Sequence, residues 1–100
     1  MRRWGFVYLA DGCEPARDVS RVDTGECLTV LLGVGRVDQV VAAARRLVDE
    51  GAQLIELCGA FGPLWTARVI DAVGSEVPVG SVMYGAEATK QLHDLFDLGA

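Results

Sequence analysis

Apolar residues recur along this chain in two rhythms, and their alternation predicts an α/β fold. Residues 4–10 (Trp-Gly-Phe-Val-Tyr-Leu-Ala) and 27–34 (Cys-Leu-Thr-Val-Leu-Leu-Gly-Val) are nearly continuous apolar runs, the pattern of strands covered on both faces. Val37, Val40, Val41, Ala44, Leu47 and Val48 instead fall at intervals of three and four, one stripe of an amphipathic helix. Asp38 near its amino end and Arg45 and Arg46 further along suit the helix dipole, and Gly51 is placed to end it in a left-handed conformation. A third strand follows from Gln53 to Cys58. A second helix runs from Pro63 to Gly74, proline at its start and glycine at its end. Val77 to Tyr84 reads as a fourth strand, and Ala86 to Asp97 as a last helix with Leu92, Leu95 and Phe96 inward.

Between the first two strands, Asp11 to Glu26 is polar and punctuated by Gly12, Pro15 and Gly25. Pro15 is placed to open one short helix through Arg21. The elements then alternate β-α-β-α-β-α-β-α over residues 1–100, a single α/β domain. Its right-handed crossovers imply a mainly parallel four-stranded sheet with packed helices. With only two full-length helices between strands, one sheet face or edge is thinly covered. Burial between subunits is the remedy, so a homo-oligomer is expected.

Charge narrows the partners. The net charge is −5 and the basic residues form no run longer than Arg2-Arg3 or Arg45-Arg46, whereas nucleic acid needs a concentrated positive stripe. No segment offers the roughly 20 apolar residues that span a bilayer. Cys13, Cys27 and Cys58 match no zinc spacing, and the one histidine, His93, is distant from all three in sequence. A reduced cytoplasmic protein with no metal, no cofactor, no nucleic acid and no membrane partner is the simplest expectation.

The richest chemistry lies in Gln53-Leu54-Ile55-Glu56-Leu57-Cys58-Gly59-Ala60-Phe61-Gly62-Pro63. It combines a strand end, a carboxylate, a thiol and a helix start, the place where parallel α/β proteins gather ligands. Alternation along a strand puts Leu54, Glu56 and Cys58 on one face and Ile55 and Leu57 on the other, with Glu56 and Cys58 roughly 7 Å apart. A carboxylate among Leu54, Ile55 and Leu57 must be paired, hydrogen-bonded or protonated. It is then either a general base or a structural partner of an arginine such as Arg3 or Arg68. Cys58 near a helix start is a candidate nucleophile, although unpaired cysteine ordinarily packs as a small apolar residue. Gly59 and Gly62 free the backbone to approach a ligand. Phe61 and Trp65 are placed to shape a pocket, and Tyr8 and Tyr84 end strands on the same sheet edge. Gly33-Val34-Gly35 lacks the third glycine of a dinucleotide fingerprint and the lysine of a P-loop, so a tight turn accounts for it.

Residues 50–63, with Val77-Pro78-Val79-Gly80 downstream, resemble a family of short bacterial α/β proteins catalogued only as a domain of unknown function. The most specific part is Glu-Leu-Cys-Gly-x-Phe-Gly. The likeness covers roughly the first 84 residues; after Tyr84 a plain helix replaces a more glycine-rich tail. The resemblance implies no activity. The same strand is also similar to one βα unit of phosphate-binding (β/α) barrels such as the tryptophan synthase α chain, a likeness that implies an acidic catalytic position at Glu56.

Three functions are compatible with these residues. One is a small cofactor-independent enzyme doing proton-transfer chemistry (isomerisation, cyclisation or elimination) on a small organic molecule. Glu56 is then the general base, Tyr84 and the second helix's amino end hold negative charge, and Gly59, Phe61, Gly62, Trp65 and Tyr8 contact substrate. Another is a non-catalytic small-ligand-binding or assembly module. Thiol chemistry at Cys58 is a third.

Overall fold

A computed structural model of the chain describes residues 1–96. Five strands, β1 (Arg3–Leu9), β2 (Val19–Asp23), β3 (Leu28–Val34), β4 (Ile55–Leu57) and β5 (Val79–Ser81), form one sheet in the order β2-β3-β1-β4-β5. All neighbours are parallel except β2 and β3. The helices are α1 (Val40–Asp49), α2 (Gly62–Val73) and α3 (Thr89–Phe96), each preceded by one turn of 3₁₀ helix.

The fifth strand corrects the short helix expected from Pro15 to Arg21. That stretch holds only one helical turn, in which the Arg17 and Asp18 amides donate to the Glu14 carbonyl. Val19-Ser20-Arg21-Val22-Asp23 then pairs antiparallel with β3. Asp23 and Thr24 decide the outcome: the Asp23 carboxylate accepts the Gly25 amide, and Thr24 Oγ1 accepts those of Glu26 and Cys27. These side-chain bonds build the hairpin turn locally.

The other elements shorten rather than move. The third expected strand retains only Ile55–Leu57 and the fourth only Val79–Ser81. Gly51, at φ 98°, ends the first helix in the expected left-handed conformation, whereas Gly74 ends α2 in a right-handed one. The last helix departs most. It buries no residue, and Leu95 and Phe96, expected inward, are 63 % and 70 % exposed. Leu92 is its one half-buried side chain and faces the end of β5 and α2. Asp97, the expected end of that helix, lies outside the described residues.

Strand order decides what is covered. The crossovers β3-α1-β4 and β4-α2-β5 advance across the sheet in the same direction, so right-handed connections put both helices on one face. There α1 and α2 pack against each other and enclose a core that includes Val7, Leu32, Leu47, Ile55, Leu57 and Val69. The connection running the opposite way, from β1 to β3, carries β2 in place of a helix. The second face is therefore left bare. Alternation and register bring Trp4, Phe6 and Tyr8 of β1 beside Thr29, Leu31 and Gly33 of β3 on it. None of these six belongs to the core cluster or packs against it.

Candidate functional site

One 3₁₀ turn separates β4 from α2, and it shapes the ground above the carboxyl ends of β4 and β5. Cys58 leaves the strand extended, residues 59–61 make a 3₁₀ turn, and Gly62 follows at φ 71°, ψ 178°, a conformation open essentially to glycine alone. Pro63 then stands in the first turn of α2. Across from them the Val82 amide bonds the Leu57 carbonyl, and the chain runs on through Met83 and Tyr84. A Cβ on Gly59 would lie 3.2 Å from the Tyr84 ring and 3.1 Å from the Val82 carbonyl oxygen. The missing side chain is what lets that ring settle.

The result is a cleft of about 470 Å³ between α2, the end of β5 and α3. Gly59, Gly62, Thr66, Ile70, Met83 and Tyr84 give its character. Its surface is apolar apart from backbone and the hydroxyls of Thr66, Ser81 and Tyr84, and Thr66 Oγ1 donates to the Gly62 carbonyl at 2.8 Å. No carboxylate, amine, guanidinium, imidazole or thiol lines it among the described residues.

The sequence-predicted residues divide around this cleft. Gly59, Gly62 and Tyr84 meet in it. Phe61 is core, 4 % exposed, and Trp65 packs against the core with the Arg68 guanidinium 4.2 Å from its ring centroid. Neither lines the cleft. Cys58 packs against the core, and its Sγ accepts the Leu9 amide at 3.3 Å. It does not share a face with Glu56, because β4 ends at Leu57 and strict alternation ends with it. Glu56 is exposed on the bare sheet face, in register with Phe6 and Gly80. The apolar surroundings expected for it belong to Ile55 and Leu57, which point the other way. Arg3 instead donates to the Glu50 carbonyl, and Arg68 lies on Trp65. Glu56 has no ion pair among the described residues.

Tyr8 is half-buried on the bare face near the carboxyl end of β1 and does not line the cleft. A Cβ on Gly33 would lie 2.8 Å from both the Tyr8 phenol and Cys13 Sγ, so the two groups share the space above that glycine. Burial, foremost, raises the Tyr8 pKa above the usual phenol value, helped by the adjacent Cys13 thiol and the Asp18 charge. Asp18 is held below the usual carboxyl range by hydrogen bonding from Arg17 and from the Glu14 amide. A raised phenol pKa contributes stability that is present below about pH 10 and lost as pH rises through the folded-state value. In Tyr84→Phe, ionisation followed at 295 nm should therefore give a midpoint above the usual phenol value. A midpoint at or below that value would contradict the half-buried Tyr8–Cys13 contact.

Sequence reasoning missed Thr66, Ile70, Ser81, Met83 and Leu92. The available signal was spacing on α2: Gly62, Thr66 and Ile70 stand four apart, one face of a helix. No three His, Cys, Asp or Glu side chains converge as a metal would require among the described residues, and none of their helices is long and apolar enough to cross a membrane.

Among known proteins, the model of a family described as a family of unknown function (DUF6506) matches residues 2–97. The match runs past Tyr84, where the resemblance in sequence pattern stops, and takes in the last helix. No curated protein and no solved structure matches the chain.

Proposed function

The chain belongs to this family of unknown function, and we propose that it is a non-catalytic module binding a small, uncharged, largely apolar organic molecule. The carrying observation is the composition of the cleft. Its volume of about 470 Å³ falls in the range of small-molecule sites, roughly 300–1,000 Å³, which are mostly apolar with a few convergent polar groups. Hydroxyls of Thr66, Ser81 and Tyr84 suit a ligand with one or two hydroxyl or carbonyl groups. A charged ligand would lose its hydration there with no counter-charge to replace it.

Proton-transfer catalysis by Glu56 draws less support. A general base must come within hydrogen-bond reach of its substrate, and Glu56 is not among the residues of the cleft. The three unpaired thiols fit a reducing compartment, and we place the protein in the cytoplasm on that ground.

A thermal-shift panel of small phenols, cyclic alcohols and cyclic ketones tests the reading. A binder present at about 100 times its Kd should add roughly 2.7 kcal/mol. Ala67→Trp fills the cleft from an exposed position of α2 and should abolish the shift. A shift that survives Ala67→Trp, or a panel with no binder, would count against the cleft. Turnover that depends on Glu56 would restore the enzymatic alternative.

A further inference from the structure

The bare sheet face offers something different from a pocket. Trp4, Phe6, Tyr8 and Leu31 on its central strands line none of three concavities found elsewhere on the surface. Its central strands carry Trp4, Phe6, Tyr8 and Leu31, and Val22 adds an exposed apolar side chain on β2 in register with Thr29. Parallel sheets are ordinarily covered on both faces. Aromatic side chains with few charges are also the composition of an interface core.

Asp18, beside Tyr8 at one corner of this face, is paired with Arg17; two further charges stand on it. Glu56 adjoins Phe6. Arg2 precedes β1 and, by alternation with Arg3, which reaches the helix side to bond Glu50, belongs to the bare side. Neither makes an ion pair among the described residues. Four residues of strand separate their levels, roughly 13 Å, too far for them to pair within one chain.

We infer that this face is a self-complementary interface for a second copy of the chain. A two-fold axis crossing the strands at the level of Trp4 carries the level of Phe6 onto that of Arg2. The two Trp4 side chains then meet at the axis. Glu56 of each copy comes opposite Arg2 of the other, one strand (about 4.8 Å) aside across sheets packed about 10 Å apart, within the span of an arginine side chain. The same axis gives the arrangement twice, as an isologous contact requires.

A small ligand would leave most of this five-stranded face wet, and the negative net charge disfavours nucleic acid. A second copy supplies both an apolar surface and the opposite charges.

Sedimentation equilibrium of the full chain from about 1 to 100 µM tests this. The expected mass is twice 10.7 kDa. Phe6→Glu should raise the dissociation constant at least 100-fold while circular dichroism shows the fold retained, since Phe6 lies outside the core cluster. Arg2→Glu and Glu56→Arg, both at exposed positions, should each weaken the dimer about tenfold, and the double exchange should bring it back to within about threefold of wild type. A monomer at 100 µM would overturn the interface. So would a dimer indifferent to Phe6→Glu, or charge exchanges that act without mutual rescue. Should Phe6→Glu fail to fold, the charge exchange alone decides.

Discussion

Leu57→Ala should destabilise the domain by about 2–5 kcal/mol, lowering the melting temperature by about 8–40 °C at the 4–8 °C per kcal/mol typical of a domain this size. Leu57 is fully buried at the carboxyl end of β4, where the core meets the floor of the cleft. Alanine there removes a side chain that the surrounding β1, α1 and α2 cannot collapse to replace, so a cavity term adds to the lost transfer energy. One residue earlier the outcome reverses. Glu56→Gln should change the stability of the dilute chain by less than about 0.5 kcal/mol, because its carboxylate is exposed and unpaired within the chain. The contrast also tests Glu56 as a structural ion-pair partner. A buried pair broken at one end costs about 3–5 kcal/mol, and a loss of that size on Glu56→Gln would show that the bare face is not bare.

Gly5→Val is the second large effect, expected near the upper end of the 1–3 kcal/mol cost of overpacking. Gly5 lies in the middle of the sheet on the helix side, directly beneath Leu47 of α1. A Cβ there would stand 2.6 Å from Leu47 Cδ1 and 3.1 Å from its Cγ, and Leu47 is itself 1 % exposed with nowhere to move. Leu47→Ala alone should cost about 2–5 kcal/mol through its cavity. In the double variant the valine occupies part of that cavity, so the two losses should sum to at least 1 kcal/mol more than the double variant shows. Strict additivity in chemical denaturation would mean that α1 does not rest on β1 at this point.

The hairpin shows how much a local signal can carry when it is read at the correct period. Val19 and Val22 flank Ser20 and Arg21 without strict alternation, and Pro15 begins a helical turn that goes no further. The strand exists because β3 offers an unpaired edge and because Asp23 and Thr24 bond the turn amides. The turn residues were visible in the sequence; the free edge was not. Similarly, Leu92, Leu95 and Phe96 have the spacing of a buried helix face, but spacing says only that an apolar side exists. Whether anything lies against it depends on where the preceding strand leaves the chain, and β5 leaves α3 at the sheet's margin.

Periodicity, glycine and proline by themselves determined the α/β class, the parallel strands, the span and left-handed stop of the first helix, and the break after β4 that opens into α2. These follow from forces acting over a few residues: side-chain alternation, helical spacing and allowed backbone angles. Only the tertiary structure decided which side of the sheet is covered, because that depends on strand order and crossover hand, which link residues 24 or more apart. That one choice put Ile55 and Leu57 in the core, left Glu56 on an open aromatic face beside Phe6, and separated it from the cleft. The cleft was equally nonlocal. It gathers glycines from residues 59–62, one face of α2, the end of β5 and a leucine of α3, and no stretch of sequence contains enough of them to reveal it.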